Sequence, residues 1–174
     1  MNDIIHSLES RRSVRKYQPR QVEDALLDQV LHTGLYAASG MNTQKTVMVA
    51  VRDKETRDLL SRLNAAVMGA THDPFYGANC VVIVLADPEI YNGWVEDGAL
   101  ALGNMMNAAH ALGLGSCWIH RAKQVFDSPE GKALLEKWGL PTHLRGVGNC
   151  ILGYPACDLP NPAPRKEDRI VKIG

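Results

Sequence analysis

The sequence predicts a single domain of mixed helices and strands, and three observations carry that prediction. Helical and strand periodicities alternate along the chain. One internal helix is apolar nearly all round. The stretch beyond Tyr154 is too rich in proline to fold as a helix and reads as extended. At 174 residues the chain fits one domain, covering 1–174, and is long enough to bury a core.

The elements follow in order. Residues 22–38 read as a helix, with Val22, Leu26 and Val30 in one row and Leu27, Leu31 and Leu35 in the next. Residues 46–52 make a strand, and 53–69 a second helix opening at Asp53. A loop with Asp73-Pro74 and Gly77 leads to a buried strand at 80–86, closed by Asp87-Pro88. In the helix at 95–112 the only polar residues between Ala99 and Leu112 are Asn104, Asn107 and His110. A helix so apolar is buried on most sides, either at the centre of the domain or against a second subunit. Gly113 and Gly115 stop it. A strand at 116–120, short helices near 122–127 and 129–138, and a last strand at 147–153 complete the domain. Beyond Tyr154, four prolines make an extended arm of roughly 60 Å, which is long enough to embrace a partner. Its end, Ile170-Val171-Lys172-Ile173, reads as able to pair as a strand.

Charge singles out two patches. Arg11, Arg12, Arg15, Lys16 and Arg20 fall in ten residues without an acid, in a chain of net charge zero. Arg165, Lys166 and Arg169 follow near the C-terminus. Forked guanidinium donors beside the Ser13 hydroxyl suit a phosphate monoester. The neutral whole argues against nucleic acid as a partner. No apolar run is long enough to span a bilayer and no secretory signal is legible, so the expectation is a cytoplasmic protein without a membrane contact.

Other chemistry is largely excluded by spacing. Gly113-Leu114-Gly115 lacks the third glycine of a dinucleotide fingerprint, and Gly148 to Gly153 has no following Lys-Ser/Thr. Cys80, Cys117, Cys150 and Cys157 show no zinc-like spacing and read as free thiols. Glu96 and Asp97 open a helix, where carboxylates favour the dipole. No serine or cysteine has a nucleophile's context, so reactivity points to a borrowed cofactor. The loop Ser39 to Gln44 presents groups that bond a polyol or a heterocycle edge, or simply form a surface turn.

Five segments then align with one pattern. Arg11 to Tyr17 is similar to an R-x-S-x-R/K-x-F/Y motif, and Ala38 to Gln44 to an A-P-S-x-x-N-x-Q segment. Asp97 to Ile119 matches a buried helix followed by G-L-G-[ST]-x-W-I. Leu152-Gly153-Tyr154-Pro155 and Pro164-Arg165-Lys166 match two closing motifs. In that order and spacing, the chain resembles the nitroreductase family of FMN-dependent oxidoreductases, as a short member.

The resemblance implies an α+β fold with a central mixed or antiparallel sheet flanked by helices. It also implies a homodimer with exchanged C-terminal arms and FMN at the subunit interface. Arg11 and Arg165 would hold the phosphate, assisted by Lys166 or Arg12, with Ser13 on the phosphate or ribityl chain. Arg15, and less firmly placed Asn64, would meet the pyrimidine edge. Ser39, Asn42 and Gln44 of the partner subunit would join them. Trp118, Ile119 and His120 would offer backbone groups near the reactive N5. No side chain is implied as catalytic; His120 either serves substrate orientation or proton supply, or merely lines the strand end. Lys45-Thr46 departs from the family's Pro-Trp, and the long insertions of larger members are missing. The implied activity is ping-pong hydride transfer from NADH or NADPH through the flavin to a small acceptor such as a nitroaromatic, quinone or flavin. A flavin carrier or sensor without turnover is the alternative.

Overall fold

A strand with no exposed residue lies at the heart of the molecule. The computed structural model describes residues 2–89 and 92–174. In it β2 (Cys80–Ala86) is buried along its whole length, as its unbroken apolar run requires. It pairs antiparallel with β1 (Thr46–Val51) on one side and β4 (Arg145–Gly153) on the other. β3 (Gly115–Ile119) adds to β4, again antiparallel, giving the order β1-β2-β4-β3. The four-stranded sheet is therefore antiparallel throughout, which settles the mixed-or-antiparallel expectation.

Strand alternation divides the core between the two faces of this sheet. Val81, Ile83, Leu85, Ile119 and Ile151 pack with helices α3 (Lys54–Met68), α5 (Ala122–Asp127) and α6 (Pro129–Lys137). Cys80, Val82, Val84, Cys150 and Leu152 pack with α2 (Asp24–Leu35) and α4 (Trp94–Ala111). The result is three layers, an α+β arrangement. No described helix is long and apolar enough to cross a membrane.

Helix ends fall where local chemistry stops them. Asp53 caps α3 by accepting from the Thr56 amide at 2.8 Å, and left-handed Gly69 closes it. α4 ends in paired reverse bonds, Gly113 N–H to His110 and Leu114 N–H to Ala109, with Gly113 at φ 76°. Helix α1 (Asp3–Ser10), capped by Asn2, is not anticipated by the sequence reading. Its apolar residues Ile4, Ile5 and Leu8 are exposed, so no buried face advertises it.

The arm from 154 onward is extended, but Ile170-Val171-Lys172-Ile173 forms no strand. In the single chain these residues pair with nothing, and Ile173 is 93% exposed. Cys80, Cys117 and Cys150 are buried free thiols, while Cys157 is exposed. Burial pushes the Cys80 thiol up to about 12, so it stays protonated.

α5 and α6 meet at Gly131, where an added Cβ would lie 2.0 Å from the Val125 carbonyl oxygen. Backbone cannot yield as a side-chain tip can. Gly131→Ala should therefore cost about 1–3 kcal/mol of stability, seen as a lower urea midpoint, against alanine's better helix propensity. A midpoint unchanged or raised would show that the two helices are not in this contact.

Candidate functional site

Residues 11–17 run along the outer edge of β3. Ser13 bridges Ser116 in parallel, and the Val14 amide donates to the Ser116 carbonyl at 2.9 Å. Val14 is buried over Gly115, where a Cβ would come within 2.8 Å of it. With Val14 turned inward, alternation turns Arg15 outward, and Arg15 is exposed. The Tyr17 hydroxyl donates to the Val14 carbonyl at 2.7 Å, and burial raises its pKa well above the usual phenol range.

The start of the C-terminal arm is stapled to this same segment. Tyr17 bridges Pro155, the Gln18 amide donates to the Tyr154 carbonyl, and the Ala156 amide donates to the Lys16 carbonyl, both at 2.9 Å. From there the arm runs back over α1. Pro162, Pro164 and Arg165 line a cavity of about 600 Å³ together with Leu8, Glu9, Arg11 and Arg12. The two cationic patches of the sequence thus meet across one space. Lys166 follows Arg165 as an exposed residue outside the lining.

Three arginines share that space with one carboxylate, Glu9, and pair with none. Among the described residues, no ion pair involves Arg11, Arg12, Arg15, Arg165 or Lys166. Arg12 donates instead to the Glu9 and Arg11 carbonyls at 2.7 Å, and Arg165 to the Ala163 carbonyl. One Arg11 Nη and the Arg12 Nε are buried without a partner. Ser10 of α1 shares a 2.9 Å hydrogen bond with His110 Nε2 of α4. Burial depresses the His110 pKa, and Arg11, Arg12 and His6 add to that, as a positive field should. Chemically, this is a receptacle for a small dianion such as a phosphate monoester.

The loop 39–44 gathers its candidates elsewhere. Ser39 Oγ accepts from the Gln44 amide at 3.1 Å, and Gln44 Nε2 donates to Asn42 Oδ1 at 2.9 Å. Asp97, buried on α4, accepts from the Gly40 amide at 2.9 Å. Sequence reasoning gave Asp97 only a helix-dipole role; its hold on this loop was not legible. Met41, Asn42 and Gln44 all have positive φ, a conformation that Met and Gln seldom adopt and Asn tolerates. Ser39 and Gln44 line a separate cavity of about 130 Å³, so one chain does not bring them to Arg11.

At the end of β3, the Trp118 indole packs over Gly148, where a Cβ would lie 2.8 Å from the ring. The Ile119 carbonyl accepts from Asn149 at 3.3 Å, and the His120 carbonyl from Asn64 at 2.9 Å. Asn64 is buried, and its side-chain oxygen lacks a donor. His120 is exposed. The structure thus joins Asn64 to His120, a link that sequence separation concealed.

A further group was missed altogether. The Arg15 guanidinium lies 5.9 Å from the centroid of the Tyr76 ring. Tyr76 rides on a turn organised by Asp73, whose carboxylate accepts from Arg57, Ser61 and the amides of Phe75 and Gly77. The Asp-Pro and Gly signals marked a turn but not what it presents.

The Nitroreductase family model matches residues 8–154. The chain belongs to the Nitroreductase family. Among family relatives, a putative NADH dehydrogenase/NAD(P)H nitroreductase of Archaeoglobus fulgidus is 32% identical over 160 residues, covering 89% of this chain and 87% of that one. An FMN reductase [NAD(P)H] of Bacillus subtilis is 30% identical, over 90% of this chain and 67% of that one. The crystal structure of a nitroreductase with bound FMN from Bacteroides fragilis superposes with a TM-score of 0.91 at 30% identity, each chain covered completely.

The Asp73 turn carries a pH dependence of known sign. Burial alone would raise the Asp73 pKa, but the donors from Arg57, Ser61, Gly77 and Phe75 outweigh it and hold the carboxyl below its ordinary 3.8. Stability from this group is therefore complete above the ordinary value and is lost as pH falls through the depressed one. The thermal midpoint gap between wild type and Asp73→Asn should be clear at neutral pH and should shrink steadily on acidification into that range. A gap independent of pH would mean that the carboxylate's charge is not what organises the turn.

Proposed function

We propose that this chain is an FMN-dependent oxidoreductase that draws on NADH or NADPH. The observation that carries the reading is the convergence of Arg11, Arg12 and Arg165 on one cavity, where they outnumber the single carboxylate, Glu9, and form no ion pair among the described residues. A flavin phosphate fits that cavity, because it supplies acceptors for the buried Arg11 Nη that has none. The unpaired oxygen of Asn64 is likewise suited to a heterocycle N–H.

In this reading Arg11 and Arg165 hold the phosphate, with Arg12 or Lys166 assisting and Ser13 on the phosphate or ribityl chain. Arg15 faces the pyrimidine edge, where a cation favours negative charge on the ring system. Asn64 holds the His120 carbonyl in place beside it. FMN, when bound, supplies the redox chemistry, taking two electrons from NADH or NADPH and passing them to a small oxidised acceptor such as a nitroaromatic, quinone or flavin in a ping-pong sequence. The protein's own work is to bind, orient and exclude water, with no obligatory catalytic side chain.

The working unit in this reading is a homodimer of one-domain subunits in the cytoplasm, each arm returning to the Arg11 cavity of its own subunit without exchange. Support comes from exposed apolar side chains that a lone chain leaves uncovered, among them Tyr36 at 75%, Met41 at 78% and the arm's Ile173. It also comes from the separation of Ser39, Asn42 and Gln44 from the Arg11 cavity. Those residues of the partner subunit complete the site when the loop faces a neighbour.

Each of Arg11→Ala and Arg165→Ala should weaken FMN binding about ten- to hundredfold, the cost of a lost charge-assisted bond. Flavin released per subunit on denaturation measures it, and full retention by both variants refutes the assignment. Anaerobic addition of NADH or NADPH to the yellow protein should bleach it; persistent colour would favour a flavin carrier.

A further inference from the structure

We propose that Tyr76 is the wall of the acceptor site, an aromatic platform that selects planar aromatic oxidants. The proposal rests on the flavin reading and adds to it a residue that sets substrate class.

The backbone makes the first argument. Tyr76 has φ 52°, in the left-handed region where bulky residues are outliers and glycine is at ease. A glycine follows it directly, Gly77 at φ 73°, so the turn has the permissive residue available one position on. A tyrosine kept in such a conformation is held there by its surroundings.

Those surroundings form a rigid mount. Phe75, 1% exposed, anchors the turn in the core beside Leu60 and Ala78. Asp73 ties together four donors from α3 and the turn. Arg57 Nε donates to the Ala78 carbonyl at 2.9 Å, closing the far end. With Phe75 inward, Tyr76 is turned outward and stays 39% exposed. The ring is therefore presented at the surface on a base that does not give.

The second argument is what the ring meets. Its cation–π contact is with Arg15, which is fixed by the Val14 and Ser13 bonds to β3. Arg15 belongs to the cationic segment that begins at Arg11, and in the flavin reading it faces the cofactor's edge. Tyr76 thus borders the same edge from a different element. The chain has no long insertion to form a lid, and Lys45-Thr46 stands where the family pattern has Pro-Trp. A flat oxidant stacked on the cofactor gains a second aromatic contact at Tyr76, whereas a compact inorganic oxidant gains nothing.

The test uses the FMN-loaded full-length protein with NADH or NADPH, whichever bleaches it. Tyr76→Gly is the informative variant, because glycine suits the backbone and the protein should fold at least as well as wild type. Its KM for 2-methyl-1,4-naphthoquinone should rise about three- to tenfold, the range an aromatic contact provides. Its KM for ferricyanide and its FMN content should stay within about twofold, and Tyr76→Phe should behave as wild type. An unchanged quinone KM in Tyr76→Gly, or an equal rise for both acceptors, overturns the proposal while leaving the flavin reading intact. Wild-type protein that takes up no FMN would overturn both, and is visible before any acceptor is added.

Discussion

Unpaired positive charge is the constraint on which the rest of this molecule depends. Guanidinium groups brought together in a half-buried cavity repel one another and lose hydration, so their gathering costs stability unless an anion joins them. The fold nevertheless gathers Arg11, Arg12 and Arg165, and leaves a buried Arg11 Nη without an acceptor. It does so by stapling the arm's start to residues 16–18 and running the arm back across α1. The sheet and its two apolar clusters provide the rigid body against which both ends of the chain are held. Stability lies in β2 and β4, and binding chemistry at the sheet's periphery.

Each functional side chain is mounted by a neighbour that does none of the binding. Val14, pressed onto Gly115, turns Arg15 outward. Asp97, buried on α4, fixes the loop of Ser39 to Gln44 through the Gly40 amide. Asn64 on α3 holds the carbonyl of His120. Asp73 does the same for the turn that carries Tyr76. Among the described residues, Arg11, Arg12, Arg52, Asn64 and Ser116 each carry a buried polar side-chain atom without a partner, and Arg11, Arg12 and Asn64 belong to the candidate site. The loop at 39–44, held by its own hydrogen bonds and by Asp97, lines a cavity separate from that of the arginines.

Much of this was legible in the sequence. Strands β1, β2 and β4 announce themselves as short apolar runs bounded by turn residues, and α4 as a long apolar helix closed by Gly113. The cationic patches were visible as local departures from a neutral composition. Their meeting was legible only through the family resemblance, because nothing local in Arg11 or Arg165 encodes the arm's path between Pro155 and Pro162. α1 escaped because its apolar residues are exposed in the single chain, so no buried stripe marks it. Tyr76 escaped because a positive φ is a property of the folded turn, and a tyrosine after Phe75 looks like core. The terminal Ile170 to Ile173 looked like a strand by composition, yet composition does not supply a partner edge.

The direct measurement of the central claim compares FMN with riboflavin, which share every ring atom and differ by the phosphate. Fluorescence titration of flavin-free protein at low and moderate salt should give FMN the tighter binding by at least about a hundredfold, the worth of two charge-assisted contacts. That advantage should shrink as salt rises. Equal affinity for the two flavins at low salt would contradict the account, because the gathered arginines would then be holding something other than a phosphate.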